Sequence, residues 1–254
     1  AGQSNEPAAA RSDSAAAARI QLSPEAATRI GRRIWQNEAG GRVDGLTAWN
    51  AGEDFASMGI GHFIWYPRGV DGPFRESFPE LLAFMRLQGV VLPPPLAGAP
   101  ACPWPDKSAF ERAADSREMR AIRDFPAATV DVQTRFLVRR LELALPEIIA
   151  AAAPASRPRI ARNFQRVAAS PQGVYALVDY VNFKGEGTAP GERYRGEGWG
   201  LLQVLDSMSP DAAPRAAFAD AAKTVLARRV ANSPPQRNEK RWLKGWFNRI
   251  ESYR

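Results

Sequence analysis

The chain has 254 residues, 45% of them hydrophobic and 24% charged, and 34 Lys+Arg against 27 Asp+Glu give a formal net charge of +7. That balance excludes wholesale disorder, a collagen-like repeat and a disulfide scaffold, and it suffices for a sizeable core. One Cys (Cys102) and one His (His62) exclude most zinc and nucleophile chemistry: a zinc site needs about four N, S or O ligands, and a Ser or Cys triad needs its own His. Chemistry then falls mainly to carboxylates, with no cofactor and no metal expected.

Residues 1–22 read as a flexible N-terminal tail. The Ala/Ser-rich start, with Ala rather than Met first, is what a signal peptide cut after a small residue would leave, so a periplasmic or secreted protein is expected. Ser23-Pro24-Glu25 opens the first helix with an N-cap hydroxyl, a proline at the first helical position and an acid in the first turn. Ala27, Ile30 and Ile34 continue it at helical spacing until Gly40-Gly41. Two strands, 46–49 and 55–65, joined by a turn at 51–54, make a β-hairpin lobe of about 42–70, with a third short strand at 66–70 as an option. Ser77/Glu80 and Ser108/Glu111 have capping-box spacing and flank a Pro-rich connection at 90–105. The remainder reads as helices at 127–153, 158–169, 174–183, 200–208, 214–231 and 236–253, so strand signal is confined to the first third. The expected fold class is α+β, mainly α. Residues 23–254 form a single domain in which the hairpin lobe and a helical lobe of about 77–254 flank a cleft suited to an extended substrate.

The most apolar stretch, 141–155, is interrupted by Glu142, Pro146, Glu147 and Pro154, so no membrane span is expected. The positive charge suggests an anionic partner. Its arginines are scattered rather than clustered and no nucleic-acid motif accompanies them, so no nucleic acid is expected as partner.

Glu38 is the first candidate for chemistry. It lies four positions after Ile34 and eight after Ile30, on the apolar face of its helix and in the last turn. Poor solvation and the negative end of the helix dipole both favour its protonated form, which suits a general acid for glycosidic-bond cleavage. Pairing with an arginine such as Arg42 is the structural alternative. Gly59 and Gly61, at alternate positions of the second strand, leave one face bare, so that a ligand or a neighbouring helix can approach the backbone.

With these residues in order, the sequence resembles the phage-type lysozymes, endolysins that cleave peptidoglycan. That family carries a glutamate at the end of its first helix, a hairpin with an aspartate and then a threonine, and the motif Gly-Ile-Gly-His. Glu38, Ser57 and Gly59-Ile60-Gly61-His62 match the glutamate, the threonine and the motif. Asp179-Tyr180-Val181-Asn182-Phe183-Lys184-Gly185 is similar to the family's central Asn-containing helix end, and Pro234-Pro235-Gln236-Arg237 to its Thr-Pro-Asn-Arg turn. The resemblance implies a lysozyme-like fold, a monomer, peptidoglycan or a related glycan as partner, Asn182 as a substrate-binding residue, and Arg237 as the group pairing with the catalytic glutamate. The middle of the chain, about 69–170, is longer than in that family and does not align.

Counted back from the motif, the hairpin aspartate falls on Ala51 beside Asn50. Three readings of the second group follow. Glu53 or Asp54 supplies the carboxylate, at about 5 Å for retention or about 6.5 to 9.5 Å for inversion. Alternatively Asn50 or Ser57 positions water or an N-acetyl group and Glu38 works alone, as in a lytic transglycosylase. Or the cleft binds glycan without cleaving it. The stretch from Gly196 to Gln203 also resembles the Gly-Leu-Met-Gln segment of soluble lytic transglycosylases, which would place Trp199 and Gln203 on the cleft wall; a loop capped by a core helix is the alternative. Trp49 is a core residue by default and a cleft-lining one by option, and His62 is expected to be structural, tuning the site through hydrogen bonds.

Overall fold

The computed structural model describes residues 19–98 and 101–254. The expected tail and small-residue start therefore fall, for residues 1–18, outside the described residues. The rest of that tail is held in place: the Ile20 N–H donates to Glu142 Oε1 at 2.6 Å, and Ile20 and Leu22 pack against the core.

Helix α1, Pro24–Ala39, starts and stops where its caps require. Ser23 Oγ accepts from the Ala26 N–H at 3.1 Å. At the other end Gly40 takes the left-handed conformation (φ 62°), so that its N–H closes on Gln36 O and that of Gly41 on Trp35 O. Ala26, Ala27, Ile30 and Ile34 are buried, and the face they define carries Glu38 one turn further on.

An antiparallel three-stranded sheet follows, β1 (Thr47–Ala48), β2 (Ala56–Met58) and β3 (Phe63–Trp65), in the order β1-β2-β3. The expected long strand 55–65 is thus two strands. Gly59-Ile60-Gly61-His62 is the turn between them rather than a strand, with Gly59 at φ 69° and His62 at φ 50°. Residues 66–70 add no named strand. Thr47 pairs with Met58 and Ser57 with Ile64.

The helical part comprises α2 (Phe78–Leu87), α3 (Pro94–Ala97), α4 (Lys107–Arg112), α5 (Arg117–Ala128), α6 (Val130–Ala151), α7 (Arg157–Ala168), α8 (Pro171–Lys184), α9 (Leu201–Ser207), α10 (Pro214–Asn232) and α11 (Lys240–Glu251). Between α8 and α9 lies a second, two-stranded ribbon, β4 (Arg193–Tyr194) with β5 (Glu197–Gly198), so strands are not confined to the first third. Helix α5 precedes the long helix expected from 127. Asp106, whose side chain accepts from Ala109 N–H at 2.7 Å, caps α4 in place of Ser108. Ser77 stands at the start of α2, but its hydroxyl accepts from Ile64 N–H and ties the helix to β3. The architecture is mainly helical with a small antiparallel sheet. Among the described residues no helix is long and apolar enough to cross a membrane.

One continuous buried cluster runs from α1 through the sheet into α6, α8, α10 and α11, with Trp65, Tyr175, Tyr180, Phe218 and Tyr253 fully buried. Cys102 belongs to it; burial pushes its thiol up to about 12, which makes it inert packing. Helices α1 and α6 approach closely because Gly31 has no side chain: a Cβ there would stand 2.3 Å from Thr134 Oγ1 and 2.5 Å from Val130 Cγ1. Gly31→Ala should therefore destabilise by about 1 to 3 kcal/mol despite the better helix propensity of alanine. Gly245→Ala in α11, where a Cβ meets nothing within 4 Å, should stabilise by about 0.5 to 1 kcal/mol. Thermal unfolding of both variants reads the two opposite signs; a stabilised Gly31→Ala would refute the close approach.

Candidate active site

The C-terminal end of α1 points Glu38 into a cavity of about 250 Å³ between the sheet and the helices. Gly61, His62 and Ile64 form its sheet side, Leu137, Arg140 and Leu141 come from α6, and Val178, Val181 and Asn182 from α8. Its volume is near the lower end of the range of ligand pockets.

Glu38 is mostly buried, with 17% of its side chain exposed, but it is not isolated in oily surroundings. Arg249 of α11 donates to its Oε1 at 2.6 Å, and Asn182 Nδ2 donates to the same oxygen at 3.2 Å. Arg42, the sequence-adjacent candidate, pairs instead with Asp44. Oε2 carries no hydrogen bond from the described residues; its nearest charged-group contact is His62 Nδ1 at 3.8 Å, beyond hydrogen-bonding reach. The other ring nitrogen, Nε2, lies 3.3 Å from the Gly45 carbonyl. A carbonyl only accepts, so Nε2 is the donor in that contact, and Nδ1 is the ring nitrogen on the glutamate side.

Arg249 is held by a second carboxylate. Its Nε and Nη2 donate to Oδ2 and Oδ1 of Asp179 at 2.9 and 2.8 Å, and its guanidinium stacks 4.3 Å from the Phe183 ring centre. Asp179 is fully buried and also accepts from Tyr253 Oη at 2.6 Å and Asn37 Nδ2 at 3.1 Å. Burial works against the Arg249 charge, but the hydrogen bonds and charge of Asp179, joined by Glu38, outweigh it and raise the guanidinium above its ordinary range. Asp179 thus accepts four hydrogen bonds. One cation therefore serves two carboxylates, and the second oxygen of Glu38 accepts no hydrogen bond from the described residues.

Arg237 does not pair with Glu38, contrary to the implication of the resemblance. It is exposed and pairs with Glu239, two residues on, at 3.2 Å; Arg249, twelve positions later, takes the expected role. The signal for Arg249 lay in its position on the amphipathic last helix, which names no partner by itself. The structure brings Asn182 to Glu38 Oε1 and places the His62 ring 3.8 Å from Oε2.

The proposed second groups are not at the cavity. Asn50 is exposed and donates to Glu53 Oε2 at 2.9 Å, and Asp54 is exposed in the same turn. Neither Asn50, Glu53 nor Asp54 lines the cavity; the carboxylate that does, besides Glu38, is Glu186, which directly follows the 179–185 stretch and is not singled out by the sequence. Ser57 is buried at 3% exposure, paired with the cavity-lining Ile64 and thus on the same sheet face, but beneath the surface. Trp49 is buried edge-on to Phe110 and donates Nε1–H to Glu53 O, so it is core rather than cleft. Trp199 is also buried, 4.1 Å beneath the Arg229 guanidinium. Gln203 bonds the Gly200 N–H and the Gly187 carbonyl, closing the loop that precedes α9. Neither lines the cavity. Gly59 faces α6: a Cβ would meet Gln133 Oε1 at 2.4 Å, so the bare face admits a helix.

Glu239 gives a pH test of this part of the fold. It is buried between Arg229, which donates at 2.8 and 2.9 Å, Arg237 and the Tyr194 hydroxyl. Burial alone would raise its carboxyl, but those hydrogen bonds and the two guanidinium charges hold it below the usual carboxylate range. A lowered folded pKa gives stability that is present above the unfolded value and lost as pH falls through the folded one. Glu239→Gln should cost about 3 kcal/mol at pH 7. The gap in Tm between variant and wild type should narrow below about pH 4; a gap that stays constant from pH 7 to pH 3 would contradict the ion pair.

Comparison with family models, with curated proteins and with solved structures finds no match to this chain.

Proposed function

We propose that this protein cleaves the glycan strands of peptidoglycan, outside the cytoplasmic membrane, on a lysozyme-like frame with Glu38 as its acid/base group. The observation that carries the reading is the asymmetry of the Glu38 carboxylate. Oε1 is tied down by Arg249 and Asn182, whereas Oε2 accepts no hydrogen bond from the described residues, and Glu38 lines a cavity between a small sheet and a helical body. An anchored carboxyl group with one open oxygen is oriented to exchange a proton with a substrate atom.

In this reading Glu38 Oε2–H gives its proton to the glycosidic oxygen as the bond from that oxygen to the anomeric carbon breaks. The carboxylate then takes a proton from the water that attacks the anomeric carbon, or, in a lytic reaction, from the sugar hydroxyl that closes on it. Glu186, the other carboxylate on the cavity wall, is the group available to the positive charge that develops on the ring. Arg249 remains charged throughout because Asp179 holds it on two sides, so a new negative charge on Glu38 is formed next to a fixed cation.

Zymography on purified peptidoglycan tests the reading. Wild type should clear it, and Glu38→Gln should lose at least about 100-fold in rate, the smaller contribution typical of general-acid catalysis, while unfolding at a similar temperature. Clearing by Glu38→Gln at the wild-type rate would remove Glu38 from the reaction. Binding to the polymer with no clearing by wild type would select instead a wall-binding protein that keeps the cleft without the chemistry.

A further inference from the structure

Arg140 of α6 is half-buried in the wall of the Glu38 cavity, and among the described residues it makes no ion pair and no hydrogen bond. Its guanidinium carbon lies 5.8 Å from the centre of the Phe136 ring. The arginines beside it are engaged: Arg249 with Asp179 and Glu38, and Arg75 with Glu80. A guanidinium keeps its charge at any ordinary pH, and one taken partly out of water without a counter-ion costs free energy that a bound anion returns. Glu80 and Glu186 contribute to the field at Arg140, but neither reaches it within ion-pairing distance, so its donors stay available.

The location matters as much as the missing partner. A second cavity, of about 170 Å³, adjoins the first, and the two share Arg75, Arg140 and Glu186 in their walls. It continues past Leu143 and Ala144 to Glu147. A ligand seated on Glu38 and long enough to enter the second cavity therefore passes Arg140 at the junction, with the Arg75 guanidinium beside it.

We propose that Arg140 is a carboxylate-binding subsite, which makes this protein selective for an acidic glycan chain over a neutral one. This rests on the glycan reading of Glu38 and sharpens it. The planar guanidinium pairs two N–H donors with the two oxygens of one carboxylate, a geometry that a neutral hydroxyl or N-acetyl group does not match. The carboxylate comes either from an acid substituent on the sugar itself or from a peptide attached to it.

The test is calorimetric titration of the full chain carrying Glu38→Gln, so that no ligand is consumed, with Arg140, Arg140→Lys or Arg140→Gln. Four ligands are compared: a neutral N-acetylglucosamine tetrasaccharide, the alternating tetrasaccharide with free lactyl carboxylates, the same chain with those carboxylates capped by stem peptides, and glucuronate alone. With Arg140 present, one of the acidic tetrasaccharides should bind about tenfold or more tighter than the neutral one, and whichever does so identifies the source of the carboxylate. Arg140→Gln should abolish that preference without weakening the neutral ligand, and Arg140→Lys should keep part of it. Equal binding of neutral and acidic chains, or a preference that survives Arg140→Gln, overturns the subsite and leaves the glycan reading intact. Glucuronate binding that Arg140→Gln removes, with no tetrasaccharide bound, keeps the anion site and overturns the glycan reading. No binding of any ligand overturns both. Unfolding curves of the three variants control for misfolding.

Discussion

The candidate site depends on a single shared cation. Arg249 reaches from the last helix into the body of the protein, takes Asp179 in a two-point grip and extends one further N–H to Glu38. Removing the cation would leave a fully buried Asp179 without its charge partner, a loss that typically costs about 3 to 5 kcal/mol. The same arrangement fixes the rotamer of Glu38, because an oxygen held by both Arg249 and Asn182 determines where the other oxygen points. Stability and function therefore draw on the same hydrogen bonds: the last helix, the central helix and the first helix meet at one guanidinium.

The sheet is brought to this point by a different buried polar group. Gln133 of α6 has no exposed surface; its Oε1 accepts from the Ile60 N–H at 2.9 Å and its amide nitrogen donates to the Pro126 carbonyl at 2.8 Å. The turn at Gly59–His62 is thereby tied to the helix that also carries Leu137, Arg140 and Leu141. A buried amide held from its nitrogen side by the Pro126 carbonyl gives register more than raw stability, since slipping the turn would orphan Gln133 Oε1 and the Ile60 N–H together. His62, at the end of that turn, is presented to Glu38 by its left-handed backbone and by the Gly45 carbonyl that holds its far nitrogen.

The glycine-rich loop before α9 shows how local sequence can suggest a ligand when the reason is packing. A Cβ on Gly200 would lie 2.0 Å from the Gly187 nitrogen, and Gln203 spans the two loops. The Trp199 carbonyl accepts from Tyr180 Oη at 2.7 Å while its ring lies under Arg229. Glycines that let two backbones touch look the same in a sequence as glycines that admit a substrate, and only the identity of the neighbour separates them. Arg140 is the converse case: nothing marks it among the many arginines of the chain until the space around it is known.

The sequence by itself determined the elements whose signals are local. Ser23-Pro24 and Gly40 bound α1, the face set by Ile30 and Ile34 placed Glu38 inward, and the proline and glycine punctuation marked most later helices to within a few residues. Its failures came where one local pattern serves two geometries: Gly-Ile-Gly-His as turn or strand, Ser77 and Ser108 as caps, Arg237 as partner of Glu38. The tertiary structure alone decided which cation meets Glu38, which carboxylate shares its cavity and which arginine stands in the cavity wall without an ion pair among the described residues. Each of those depends on contacts across long stretches of chain, 211 positions in the case of Glu38 and Arg249. Hydrophobic period and capping chemistry act within a turn or two of helix, whereas ion pairs across a core are chosen by how the packed faces bring distant side chains together.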